Sequence, residues 1–113
     1  MRYFVKGEFV EPGPTFSDRP FSDRRFVQML ENTILPSFEN VIKLEKEKKI
    51  LASGLFTGAR AGVFIIDAES NDELTRLLYT LPFWGIIKWE VIPLDTFEDR
   101  IQIDRKLLQN LKK

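Results

Sequence analysis

Hydrophobic residues along this chain repeat first at period two, then at period 3.6, and the repeats come in the order strand, helix, strand, strand, helix, strand. Few folds accept that order. Arg2 to Val10 alternates: Tyr3, Val5 and Phe9 point one way, Phe4, Lys6 and Glu8 the other. Glu11-Pro12-Gly13-Pro14 then ends the ladder as a turn. After an irregular stretch, Ser22 or Asp23 is placed to cap a helix carrying Phe26, Val27, Leu30, Ile34 and Leu35. Pro36 is expected to kink or split that helix, whose stripe continues through Phe38, Val41, Ile42 and Leu44. The run Glu45-Lys46-Glu47-Lys48-Lys49 reads as its solvated end.

A short glycine-punctuated strand follows around Ile50 to Phe56. Its glycines lack the Gly-Lys-Ser/Thr ending of a phosphate loop and the spacing of a dinucleotide loop. Val63-Phe64-Ile65-Ile66 is an apolar third strand. Ser70 with Glu73 forms a capping box, and Leu74, Leu77, Leu78 and Leu81 supply the stripe of a second helix that stops at Pro82. Phe83 to Leu94 reads as the fourth strand, with Ile87, Trp89 and Val91 on one face and Lys88, Glu90 and Ile92 on the other. Phe97, Ile101, Leu107, Leu108 and Leu111 give a trailing amphipathic helix, about residues 97–112. The expected class is α+β: a ferredoxin-like βαββαβ protomer of one domain, residues 1–113, with an added C-terminal helix. Its sheet keeps one face uncovered, where Phe4, Lys6, Glu8, Lys88, Glu90 and Ile92 gather. Two such faces brought together as a dimeric α+β barrel bury that surface and enclose a polar-lined cavity.

Composition removes many functions. With no cysteine and no histidine, disulfides, thiolate nucleophiles and the usual zinc sites are excluded, and no calcium-loop spacing occurs, so neither metal nor cofactor is expected. Seventeen basic residues balance seventeen acidic ones, and the aromatic-basic strand motif of RNA-binding sheets is missing, which argues against nucleic acid. No apolar run reaches the about 20 residues of a membrane span, and the opening residues carry charges where a secretory signal needs none, so a cytoplasmic protein is expected.

From Gly58 through Leu94 the sequence resembles the muconolactone isomerase family: Asp67-Ala68-Glu69-Ser70-Asn71-Asp72-Glu73-Leu74, Leu77-Leu78, Leu81-Pro82-Phe83 and Glu90-Val91-Ile92-Pro93-Leu94, with Phe4-Val5-Lys6 similar to the family's first strand. The resemblance implies a ferredoxin-like protomer that pairs into a dimeric barrel and shifts a proton within a small lactone or unsaturated acid, without a cofactor. Where that family has a tryptophan-, arginine- and histidine-containing stretch, this chain has Leu51 to Phe56, and a non-catalytic homo-oligomer that binds a small ligand or serves as a structural barrel is the alternative. Lys6 is the catalytic position the resemblance transfers, since an ammonium group drawn into a desolvated cavity gives up its proton more readily; its structural reading is a lysine paired with Glu8 or Glu90. Glu8 and Glu90 are the other acid–base candidates, with a cross-strand partner role as the plain reading. Phe83 and Trp84, with Trp89, are candidates for lining a ligand pocket, or for core and interface packing. Arg60 is a candidate for a ligand carboxylate, or an ordinary surface arginine, and Lys88 adds a second cation to the same face.

Overall fold

The computed structural model describes residues 1–10 and 24–113, with the side chains of Arg25 and Phe26 left aside. The Glu11–Pro14 turn and the Ser22 or Asp23 cap lie outside the described residues. The elements are β1 (Arg2–Phe9), α1 (Arg24–Met29), a π-helical turn (Leu30–Ile34), α2 (Leu35–Lys46), β2 (Ile50–Leu55), β3 (Ala61–Asp67), α3 (Asn71–Tyr79), a 3₁₀ turn (Trp84–Ile86), β4 (Ile87–Leu94) and α4 (Phe97–Leu111). The strands form a four-stranded antiparallel sheet in the order β2-β3-β1-β4, the split βαβ arrangement with a C-terminal helix added.

Alternation in β1 holds. Tyr3, Val5 and Gly7 are buried on the helix side, whereas Phe4, Lys6 and Glu8 face out. Tyr3, Val5, Phe64, Ile66 and Ile87 from the sheet meet Leu44 of α2, Leu74, Leu77 and Leu78 of α3, and Leu81 and Phe83. The buried phenol of Tyr3 donates to Asn71 Oδ1 at 2.8 Å, which ties β1 to the first turn of α3. The capping box forms: Glu73 N–H donates to Ser70 Oγ at 3.1 Å, and Glu73 Oε2 accepts from the backbone N–H of Glu69 at 2.7 Å, one residue earlier than the usual partner.

Pro36 interrupts the regular α-helix, as expected, and the interruption takes the form of a π-helical turn between α1 and α2. Pro36 sits in the first turn of α2, where a missing N–H costs little, and the preceding turn widens so that Leu35 N–H reaches Leu30 O. Thr33 O accepts the Ser37 hydroxyl at 2.6 Å. The fourth strand starts at Ile87, not Phe83, because Pro82 ends the helix and the chain turns once through Trp84–Ile86 before it can extend.

The C-terminus of α2 is a Schellman turn built on a lysine. Lys48 adopts φ 62°, its N–H reaches Glu45 O at 3.0 Å, and Lys49 N–H reaches Leu44 O at 3.0 Å. A side chain pays a steric penalty there that glycine escapes. Lys48→Gly is therefore expected to stabilise the fold by about 0.5–1 kcal/mol, seen as a higher midpoint in urea. An unchanged or lower midpoint contradicts the left-handed turn.

Candidate functional site

A cavity of about 260 Å³ opens between α2 and the helix-side face of the sheet. Its walls are aromatic: Phe83 contacts Phe9, Phe38 and Trp89 edge to face at centroid distances of 6.0, 6.4 and 6.2 Å, and Trp89 leans on Phe64 at 6.4 Å. Gly7 and Gly62, which stand opposite each other on β1 and β3, make the floor. A Cβ on Gly7 would lie 2.9 Å from Ile87 Cγ2 and 3.0 Å from the Trp89 ring, and one on Gly62 would lie 3.0 Å from Gly54 O. Glycine is what lets the indole and the neighbouring strand close onto this floor.

The polar groups of the cavity are few. Among the described lining residues the polar side chains are Glu45 at the C-terminal end of α2, Ser53 on β2, and the Trp89 indole. The Ser53 hydroxyl donates to Glu45 Oε1 across the gap between α2 and β2, and the indole N–H donates to Trp84 O at 3.3 Å. Glu45 thus presents a carboxylate at the lip of an apolar chamber, held by one hydroxyl.

The charged candidates read from the sequence lie on the opposite face of the sheet. Lys6 stands opposite Glu90, and Glu8 opposite Lys88, in the β1–β4 register, with Phe4 and Ile92 paired further along. Lys6 is half-buried, with its Nζ 5.8 Å from the centroid of the Phe56 ring, while Glu8, Lys88 and Glu90 are exposed. Arg60 is half-buried before β3, and its carbonyl accepts from Phe9 N–H at 3.0 Å. Trp84 is exposed and packs on Tyr79 at 4.3 Å, away from the cavity. Of the candidates, Phe83 and Trp89 line the inner cavity; Lys6, Glu8, Lys88 and Glu90 form one ladder outside.

Three contributors were not visible in the sequence. Glu45 sits in an alternating charge run and looks like plain solvated helix, and only the docking of α2 against β2 brings it to the cavity. Gly7 interrupts a clean strand alternation, and that interruption was its available signal. Ser37 is fully buried; it donates to Thr33 O and accepts from Phe83 N–H at 3.0 Å, so it fixes the backbone of the pocket wall to the helix.

Among the described residues no group of three or more His, Cys, Asp or Glu side chains is placed to hold a metal ion, and no helix is long and apolar enough to cross a membrane.

A split βαβ sheet with an apolar pocket under one helix and a charged ladder on its other face defines an α+β, ferredoxin-like protomer. The sequence model of the muconolactone delta-isomerase family matches residues 28–100, more than half of the chain. The protein belongs to that family. It is similar to a crystal structure of muconolactone isomerase with a TM-score of 0.67 at 20% identity, covering 85% of this chain and 90% of that one. It is also similar to 5-chloro-2-hydroxyhydroquinone dehydrochlorinase (TftG) from Burkholderia phenoliruptrix AC1100, solved in complex with 2,5-dihydroxybenzoquinone, with a TM-score of 0.54 at 20% identity over 88% of this chain and 98% of that one. At that identity the two likenesses speak for the fold. No curated protein matches the chain.

Proposed function

We propose that the protein is a cofactor-free isomerase that takes a small cyclic carbonyl compound into the inner cavity and moves a proton within it. The observation that carries this reading is the cavity itself: about 260 Å³, aromatic-walled, with one carboxylate at its lip. An apolar cavity of about 150 Å³ accepts benzene, so this one suits a single substituted ring. A proton shift needs one base and no redox partner. Glu45 takes the proton from the carbon beside the carbonyl; the electron pair moves through the conjugated system onto the carbonyl oxygen, and the same carboxyl returns the proton at the far carbon. The apolar walls lower the cost of a charge-delocalised enolate relative to a localised one.

The same proposal includes a second copy of the chain and a cytoplasmic setting. Every residue from Val91 to Lys113 is exposed, including Ile92, Leu94, Phe97, Ile101, Leu107, Leu108 and Leu111. Phe97 is 89% exposed. A bare apolar strand end continued by a bare apolar helix stripe asks for a cover. The outward ladder supplies self-complementary charge, with Lys6 and Lys88 alternating against Glu8 and Glu90, as a two-fold pairing of sheets requires.

That pairing supports a second reading, in which the reaction occurs between the facing sheets with Lys6 as base and Glu8 or Glu90 as partner; Arg60 and Lys88 then attract an acid group. Deuterium exchange into enolisable lactones, followed by NMR, separates the two. Val41→Trp fills the inner cavity and is expected to abolish exchange, while Lys6→Met retains it within about threefold. The reverse pattern moves the chemistry to the outer face.

A further inference from the structure

We infer that α4 packs antiparallel against α4 of a second copy of this chain, in the register that sets Arg100 against the partner's Asp104. The inference rests on the pairing of copies proposed above and adds where the second copy holds and in which direction. Only Asp95 and Thr96 separate β4 from α4, and the Thr96 hydroxyl caps the helix by accepting from Asp99 N–H at 3.0 Å. The helix then stands clear of the core: none of its 15 residues is buried, and the protomer measures 70 × 28 × 20 Å. An isolated helix of that length is marginal in water, so packing against another surface must hold it.

At about 100° per residue, Phe97, Ile101, Ile103, Leu107, Leu108 and Leu111 occupy about 160° of the helix circumference. Arg100 and Asp104 stand inside that arc, one turn apart and opposite in sign. These two charges decide what covers it, because such a surface is complementary to its own reversed copy. In a parallel pair each charge meets its like, and two repulsions result. In an antiparallel pair with the dyad level with residue 102, each Arg100 meets the partner's Asp104, and Phe97 lies level with the partner's Leu107. A dyad level with residue 104 would oppose the two aspartates instead. A charge pair of this kind adds little affinity but fixes register. Arg100 also donates to Asp95 of its own chain at 3.0 Å, and its five N–H donors can serve both carboxylates. Leu111 then reaches beyond the partner's Phe97 towards the end of β4, where Leu94 is 39% exposed.

The chain has no cysteine, so an introduced one reports its neighbours without interference. Ile101 lies beside its own copy at the dyad, whereas the two Leu111 side chains sit about 27 Å apart along the helix axis. In micromolar full-length protein under mild oxidation, Ile101→Cys is expected to form a covalent dimer at least about tenfold faster than Leu111→Cys. A parallel pair would cross-link both. Sedimentation supplies the second arm. Arg100→Asp and Asp104→Arg are each expected to raise the dimer dissociation constant about tenfold or more. Mixed one to one, they are expected to pair with each other to within about threefold of the parent, since a mixed dimer restores both opposite-charge contacts. Mixing cannot relieve a like-charge effect inside one helix, so the mixture separates pairing from folding. Equal cross-linking of the two cysteines, or a mixture no tighter than its parts, overturns the inference. A parent that sediments as one chain removes the pairing of copies and this contact together. If Ile92→Asp dissociates the dimer while neither α4 charge variant does and Ile101→Cys stays uncross-linked, the sheet pairing stands and the α4 contact alone fails.

Discussion

Ile92→Asp is expected to turn a dimer into a monomer, lowering the mass seen by sedimentation from twice the 13.2 kDa chain mass to that of one chain. Ile92 lies opposite Phe4 on the outer face and is 46% exposed in the protomer. An aspartate there meets water in the isolated chain, so folding stability should change by less than about 0.5 kcal/mol. In a sheet-to-sheet pairing the same carboxylate is buried without a partner, beside Glu90, and two-fold symmetry places it there from both chains. The dissociation constant should rise about a hundredfold or more. A parent protein that sediments as a single chain at micromolar concentration removes the pairing, and with it the outer-face chamber. The inner cavity survives that result, because a single protomer supplies its walls.

Leu81→Ala is expected to cost about 2–5 kcal/mol and lower Tm by roughly 10 °C or more. Leu81 is 2% exposed in the core cluster and stands between the end of α3 and Phe83, the residue that precedes the 3₁₀ turn. Removing three carbons leaves a void next to the pocket wall, which cannot close because Ser37 pins the Phe83 N–H to the helix. Leu111→Ala makes the contrast: Leu111 is 74% exposed in the protomer, so its substitution should leave the monomer's stability nearly unchanged. If Leu111→Ala destabilises the protein in proportion to its concentration, α4 is covered by a second copy. Thermal denaturation at two protein concentrations distinguishes these outcomes. Equal effects of the two substitutions at every concentration contradict the core assignment.

Most of the architecture could be read from local patterns. Period-two alternation in Arg2–Phe9 and Ile87–Ile92, the Ser70–Glu73 box and the leucine spacing of α3 each depend on neighbours a few residues away, and each reappears in the protein. The exceptions share a cause. Pro36 was legible as an interruption, but not the wide turn before it through which Leu35 N–H reaches Leu30 O. Phe83 looked like strand, but the proline before it forces a turn, and its ring serves the pocket rather than the sheet.

The candidate site was less legible. Alternation correctly put Lys6, Glu8, Lys88 and Glu90 on one face, because a strand's side-chain direction follows from its own sequence. It could not say that a cavity opens on the other face. That cavity depends on how far α2 stands off the sheet, on Gly7 and Gly62 meeting across β1 and β3, and on Trp89 closing over them. Glu45 and Ser53 are separated in sequence by a helix end and a strand start, and only packing makes them a pair. Local periodicity determined which elements form and which way their residues point, since those preferences act through bonds and nearest turns. Distances between elements decided where an empty space remains and what charge borders it, since these depend on side-chain volumes drawn from the whole chain at once.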